Sequence, residues 1–423
     1  MLKQIKDLGK RFIDYTIERD RRIYRLRHTP FCLRISLVRR FEKRYGALPV
    51  CPRKVVIDNY MGNGYGCNGK YVTERLLSRR ADLDIVWVVR EKEAMWEQFP
   101  PGVRLVEYDT KEALYEYATA AVWLCNYHLV KYLNRGLQKK EGQAYIQMWH
   151  GSFGIKKIEQ DCGILTEMKS WNYLAQKNAA LTDYWISNSR FETEIYRSAF
   201  WGAGEILEYG HPRNDIFFCA DKEDLRRGTK EALALKAEAR VVLYVPTFRE
   251  RGASSAGKLP VGELLHALQE KWGYDYRFVV RFHPRMAQNE RASLFEKWQD
   301  VPVTDATRYP DIQELLLCAD LVITDYSSCI FDFMLTGRPG FLFVPDRDSY
   351  GEERGFYYPL EQAPFPVAQT KEALIEQIRC FDTDLYQKSV AAFLKQKGSK
   401  EDGQASERVA RLVQELCGKV IED

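Results

Sequence analysis

The chain is expected to fold as an α/β protein of two doubly wound parallel-sheet lobes with a cleft between them, and three observations lead there. From Val55 onward, short apolar runs alternate with segments of helical spacing, which is the pattern of parallel strands joined by crossover helices. The alternation breaks once, in a charged, alanine-rich stretch from Asp221 to Ala239, and then resumes. A chain of 423 residues, 45% of them hydrophobic, is also too long for one comfortable core and long enough for two.

Residues 1–48 read as a basic helical segment. Residues 1 to 45 carry fourteen Lys/Arg against five acids, and Leu2, Ile5, Leu8, Phe12 and Ile13 fall near helical spacing on one side. Such a helix can lie on anionic lipid or pack on its own domain. No nucleic-acid motif accompanies the charge, so a nucleic-acid partner is not expected. The ten cysteines form no CxxC pair and no metal spacing, and Met1 opens onto Lys3, Lys6 and Lys10 without an apolar leader. With no apolar run of membrane-spanning length, a cytoplasmic protein with reduced thiols is expected, and any bilayer contact is peripheral, on the inner face of the cell membrane.

The first lobe is expected over 49–225. Its first strand, around Val55-Val56-Ile57, leads into the glycine-rich stretch Asp58 to Lys70 and a helix from Tyr71. The order of glycines matches neither a dinucleotide fingerprint nor a P-loop, and Lys70 beside the helix start could face an anion. Strands follow at Ile85–Val89, Val103–Val106 and Ala121–Cys125. The next run, Ala144 to Trp149, ends in His150-Gly151, so a strand's carboxyl end delivers a histidine into the crevice that open α/β sheets use for ligands. Histidine titrates nearest to working pH, and a base for a hydroxyl is its natural role. After a strand at Tyr184–Ser187 and another at Glu205–Tyr209 comes Gly210-His211-Pro212-Arg213-Asn214-Asp215, where Arg213 could take a phosphate or pair with Asp215.

The second lobe is expected over 226–385, with further helices over 386–423. Its strands, at Val241–Val245, Phe278–Phe282, Val301–Val303, Leu321–Ile323 and Gly340–Val344, again gather polar groups at their carboxyl ends. Arg249, His283 and Arg285 fall on the same edge as Ser327 and Ser328, in the pieces that also hold Thr247 and Asp325. Ser327 or Ser328 would cap the next helix, whose free N–H groups and partial positive charge suit phosphate oxygens. A multiply charged anion such as a pyrophosphate fits that edge. The segment Tyr350–Tyr358 reads as a loop that covers a ligand or packs on the core, and Lys395–Gly403 as exposed.

Six short pieces in one order carry a resemblance: Gln147-Met148-Trp149-His150-Gly151, Ser187-Asn188-Ser189, Gly210 to Asp215, Tyr244 to Arg249, Arg281-Phe282-His283-Pro284, and Thr324 to Ser328. Together they resemble the CDP-glycerol glycerophosphotransferases that build teichoic acids and related polymers, over roughly residues 54 to 385. The resemblance implies a GT-B fold of two Rossmann-like lobes, His150 as catalytic base, and His283, Ser327 and Ser328 on the pyrophosphate. Arg249, Thr247 and Asp325 lie in the matching pieces, although Phe248 and Glu250 stand where Trp and Asp are usual and His211 where Tyr or Phe is common. It implies transfer of a polyol phosphate from CDP-glycerol or another CDP-alcohol to a lipid-linked or polymeric acceptor, with release of CMP. No cofactor is required on this reading; a divalent metal could shield the pyrophosphate, though no carboxylate cluster marks one. The alternatives are a nucleotide-sugar glycosyltransferase of the same architecture and an inactive relative held at the membrane by the basic segment.

Overall fold

The computed structural model describes residues 36–79, 82–95, 98–163, 169–247, 255–283, 286, 288–347, 350 and 355–422. The basic amino-terminal segment up to residue 35 lies outside the described residues, and so do Phe248, Arg249, Glu250 and Arg285.

Seven parallel strands form the first sheet in the order β3-β2-β1-β4-β5-β6-β7. They are β1 (Cys51–Asp58), β2 (Asp84–Val89), β3 (Val103–Glu107), β4 (Ala120–Cys125), β5 (Ala144–Gln147), β6 (Tyr184–Ser187) and β7 (Glu205–Glu208). Strands covered on both faces read as unbroken apolar runs, and all six residues of β4, Ala-Ala-Val-Trp-Leu-Cys, are buried. On one face Val56, Val86 and Trp123 pack with Leu114, Tyr117 and Tyr132; on the other Val55, Ile57 and Leu124 pack with Val72 and Leu76.

Six parallel strands form the second sheet in the order β10-β9-β8-β11-β12-β13. They are β8 (Arg240–Val245), β9 (Tyr276–Val280), β10 (Val303–Asp305), β11 (Leu321–Thr324), β12 (Gly340–Phe343) and β13 (Val367–Ala368). The sequence reading has no counterpart to β13, whose two residues are too few to show a period.

The carboxyl-terminal helices belong to both cores. The helix Thr383–Lys397 places Tyr386, Val390 and Phe393 in the core of the second lobe. The helix Ala405–Glu422 returns to the first, burying Val409, Ala410, Val413 and Cys417 beside Val55 and Leu124. The boundaries read after residues 225 and 385 therefore fall inside helices Lys222–Ala232 and Thr383–Lys397. The stretch Lys395–Gly403 is not simply exposed. It carries the chain across between the lobes, with Arg190 N donating to Gly398 O at 3.1 Å and Lys400 N to Asn188 O at 2.8 Å.

Candidate active site

Each sheet reverses its strand order once, and the carboxyl ends of the diverging strands leave a crevice there. In the first lobe the reversal lies between β1 and β4. At the end of β1 the Asp58 carboxylate accepts from Gly62 N at 2.8 Å and from the Tyr117 hydroxyl at 3.1 Å, folding the glycine-rich loop back on its strand. Asn126, just past β4, ties the two ends: its Nδ2 donates to Asn59 Oδ1 and its Oδ1 accepts from Tyr60 N, both at 2.7 Å. Tyr60 and Met61 sit at positive φ, 48° and 61°, a conformation that bulky residues keep only where the surroundings over-determine it.

His150 stands three residues past β5. Gln147 accepts from Trp149 N at 3.0 Å, and Asn68 Nδ2 donates to the carbonyls of Met148 at 3.2 Å and Trp149 at 3.0 Å, fixing Trp149 at φ 49°. The half-buried imidazole meets the Tyr60 ring edge-on at 5.1 Å and lies 5.4 Å from the Tyr127 ring. Its Nδ1 is 3.0 Å from the Asn126 carbonyl oxygen. A carbonyl only accepts, so Nδ1 carries the proton and Nε2 presents its lone pair. Nε2 has no hydrogen-bond partner among the described residues. Burial, helped by the Arg213 charge, brings the His150 pKa down to about 4 against the opposing bond to Asn126, so the ring is neutral at pH 7.

In the second lobe the reversal lies between β8 and β11. Asp325 is fully buried and accepts from Thr247 N at 2.9 Å and Tyr326 N at 2.6 Å, lacing the two strand ends together. This corrects the reading of Asp325 as a pyrophosphate ligand: a carboxylate would repel phosphate, and this one is turned to backbone donors. Ser328 caps the helix Cys329–Phe333 without a side-chain capping bond, so its half-buried hydroxyl is not used by the helix. Ser327 Oγ lies 3.2 Å from Cys329 Sγ. Half-buried His283 follows β9.

Two further expectations are also corrected. Lys70 does not face an open anion site: its ammonium pairs with Asp311 at 3.3 Å and with Glu314, joining the first lobe to the second. Arg213 does not pair with Asp215. Its Nε donates to Asp332 Oδ2 at 2.9 Å and its Nη2 to the Gly151 carbonyl at 2.6 Å. Asp215 instead receives Ala405 N at 3.0 Å and Ser406 N at 2.8 Å, capping the returning helix. Arg213 thus bridges the residue after His150 to a carboxylate four positions beyond Ser328. Arg213 thereby ties the loop that carries His150 to the helix that Ser328 opens. The aromatic segment packs rather than stands free: Tyr326 and Tyr350 stack at 4.0 Å, and Tyr357 N donates to Ile155 O at 2.7 Å.

The sequence reading gave no role to Asn68, Asn126 or Gln147. Their signal was weak, since an amide beside a glycine or at a strand end is common, and only the fold shows which backbone groups each one serves. Among the described residues, no group of three or more His, Cys, Asp or Glu is placed to hold a metal ion, and no helix is long and apolar enough to cross a membrane.

Comparison with known proteins agrees with this fold. The chain is 30% identical over 387 residues to the teichoic acid poly(glycerol phosphate) polymerase of Bacillus spizizenii, covering 88% of this chain and 94% of that one. It is 31% identical over 377 residues to the Staphylococcus epidermidis protein of the same name, where the match spans 86% of this chain but only 51% of the relative. A structure of the wall teichoic acid polymerase TagF superposes with a TM-score of 0.77 at 26% identity, covering both chains completely. The two lobes have the GT-B arrangement of that neighbour. The model of one family, CDP-glycerol:poly(glycerophosphate) glycerophosphotransferase, matches residues 41–415. With His150 and the Ser327-Ser328 turn set on the crevices of the two sheets, and with nine-tenths of the sequence inside that match, the chain belongs to the CDP-glycerol:poly(glycerophosphate) glycerophosphotransferase family.

Proposed function

We propose that the protein transfers glycerol phosphate from CDP-glycerol, or the corresponding unit of another CDP-alcohol, to a hydroxyl of a lipid-linked or polymeric teichoic-acid-type acceptor. The observation that carries the reading is the tautomer of His150. With Nδ1–H donated to the Asn126 carbonyl at 3.0 Å, Nε2 is the atom able to take a proton from an acceptor hydroxyl. The acceptor oxygen bonds to the phosphorus that bears the glycerol, the bond from that phosphorus to the bridging oxygen breaks, and CMP leaves with the electron pair. The proton goes to Nε2. Negative charge grows on the bridging and equatorial oxygens, so donors fixed beforehand at that place lower the barrier most.

Ser327, Ser328, His283 and Arg249 are the donors assigned to the diphosphate, while Thr247 and Asp325 shape the turn that presents them. A neutral imidazole suits a base, and a bound anion beside it would raise its pKa. The basic charge of the amino-terminal segment supports a peripheral position on an anionic membrane surface, on its inner face.

The test is incubation with CDP-glycerol, CDP-ribitol and UDP-sugars, together with a lipid-linked acceptor. The expected result is acceptor-dependent release of CMP. Release of UDP from a sugar donor, with no CMP from either CDP-alcohol, would replace the reading with glycosyl transfer.

A further inference from the structure

We propose that Arg281 is an anion-binding residue of the cleft, taking the diphosphate of a nucleoside diphosphate donor beside the Ser327-Ser328 turn. The inference rests on the donor reading above for the identity of the nucleotide, but not for the chemistry of the group bound.

Arg281 follows β9, where its backbone N–H donates to the Tyr244 carbonyl at 3.0 Å and so holds the residue against the central strand β8. The side chain lies among Asp311, Cys329, Tyr309 and Cys67. Cys329 opens the helix that Ser328 caps, and Cys67 opens the first-lobe helix Cys67–Arg79. The guanidinium is therefore on the second-lobe wall where the lobes meet.

Among the described residues no carboxylate bonds its guanidinium. The side chain is half-buried: Nη1 is covered without a hydrogen-bond partner, and Nη2, which is exposed, reaches the Pro310 carbonyl at 3.5 Å. Asp311, the nearest source of negative charge, is already engaged by the Tyr71 hydroxyl at 2.8 Å, Gln313 N at 3.1 Å and the Lys70 ammonium at 3.3 Å. Arg213 also leaves Nη1 unpaired, but its guanidinium is held by the Asp332 carboxylate, and Arg338 gives Nη1 to the carbonyls of Leu317 and Ala319. Burial pushes the Arg281 pKa down, against the opposing charge of Asp311. Covering one N–H of a cation without giving it an acceptor is costly, and an anion that accepts it repays the cost. A planar fork of donors matches phosphate oxygens two at a time.

The test uses the full chain and calorimetric titration of CDP, CMP, UDP and inorganic pyrophosphate into wild type, Arg281→Lys and Arg281→Met. A charge-assisted pair of this kind is worth roughly ten- to a hundredfold in affinity. Arg281→Met should lose that factor for CDP and for pyrophosphate while binding CMP as wild type does, and Arg281→Lys should recover part of it. Retained CMP binding also shows that the variant is folded. Unchanged CDP and pyrophosphate affinity in Arg281→Met would overturn the inference, as would equal losses for CDP and CMP, which a merely structural role produces. If wild type prefers UDP to CDP and the preference for UDP over pyrophosphate-free ligand still depends on Arg281, the anion site stands and the CDP-alcohol reading falls.

Discussion

His150 draws its character from two neighbours that local sequence does not advertise. The Asn126 carbonyl selects the tautomer, and the aromatic wall of Tyr60, Tyr127 and Trp149 keeps the ring neutral. His150→Ala should lower transfer by roughly a hundred- to ten-thousandfold, the range of a lost general base, while leaving CDP-glycerol affinity nearly intact; single-turnover assays beside titration calorimetry separate the two. A variant with normal turnover removes His150 from the mechanism. With the unliganded pKa brought to about 4, kcat/KM should hold its value as pH falls from neutrality and drop only toward that acid limit. An acidic limb centred near pH 6.5 would mean that burial does not tune this ring. The same shift has a stability consequence of definite sign. Between the ordinary histidine pKa and about 4 the unfolded chain holds more protons than the folded one, so this residue's share of stability is lost as pH falls through that window.

At the scale of elements, most of the fold was legible and much of the site was not. Parallel strands bury both faces, so Ile85–Val89 and Ala121–Cys125 appear as plain apolar runs, and β2 and β4 stand there. The helix after β6 was equally readable, because Ser189 accepts from Glu192 N at 3.1 Å and Glu192 returns a bond to Asn188 N at 2.8 Å, a reciprocal cap written into neighbouring residues. Lys70 and Arg213 were misread for one reason: their partners lie far along the chain, and a charged residue's local sequence does not say which distant charge will meet it. The glycine-rich stretch matches no nucleotide-binding fingerprint, and one of its glycines is there for packing. A Cβ on Gly69 would come within 2.9 Å of the Trp87 ring and 3.0 Å of Ile57 Cγ2. Both neighbours are fully buried. Gly69→Ala should therefore destabilise the first lobe by about 1–3 kcal/mol despite the better helix propensity of alanine. Urea unfolding checks this, and a variant as stable as wild type would show that the helix Cys67–Arg79 can ride outward without loss.

The whole molecule is held at a buried polar junction between the lobes. Arg213, Asn214, Gln313 and Asp332 meet there, with Asn214 Nδ2 donating to Asp332 Oδ1 at 3.1 Å and Gln313 Nε2 to Asn214 Oδ1 at 2.8 Å. Removing one side of such a pair strands the other charge, so Arg213→Met should cost about 3–5 kcal/mol in urea unfolding, well beyond a surface ion pair. Replacing both partners, Arg213→Met with Asp332→Leu, should recover part of that loss; a double variant as unstable as the sum of the singles would deny the coupling. Glu401, on the segment that crosses between lobes, extends the junction by accepting from Asn214 Nδ2 at 2.8 Å and from His211 N. Desolvation, with Asp332 adding repulsion, raises its carboxyl pKa to about 8 despite the bond from Asn214. The folded protein then keeps a proton that the unfolded chain releases near the ordinary glutamate value. Stability consequently declines as pH rises from that value to about 8, and levels off above it. Glutamine keeps an oxygen for both donors and cannot ionise, so Glu401→Gln should gain on wild type steadily across this window. Urea unfolding of the two proteins at pH 5, 6, 7 and 8 isolates the effect, because every other group titrates alike in both. Parallel stability profiles would place the Glu401 carboxyl in contact with water and leave the crossing segment without a role in pH response.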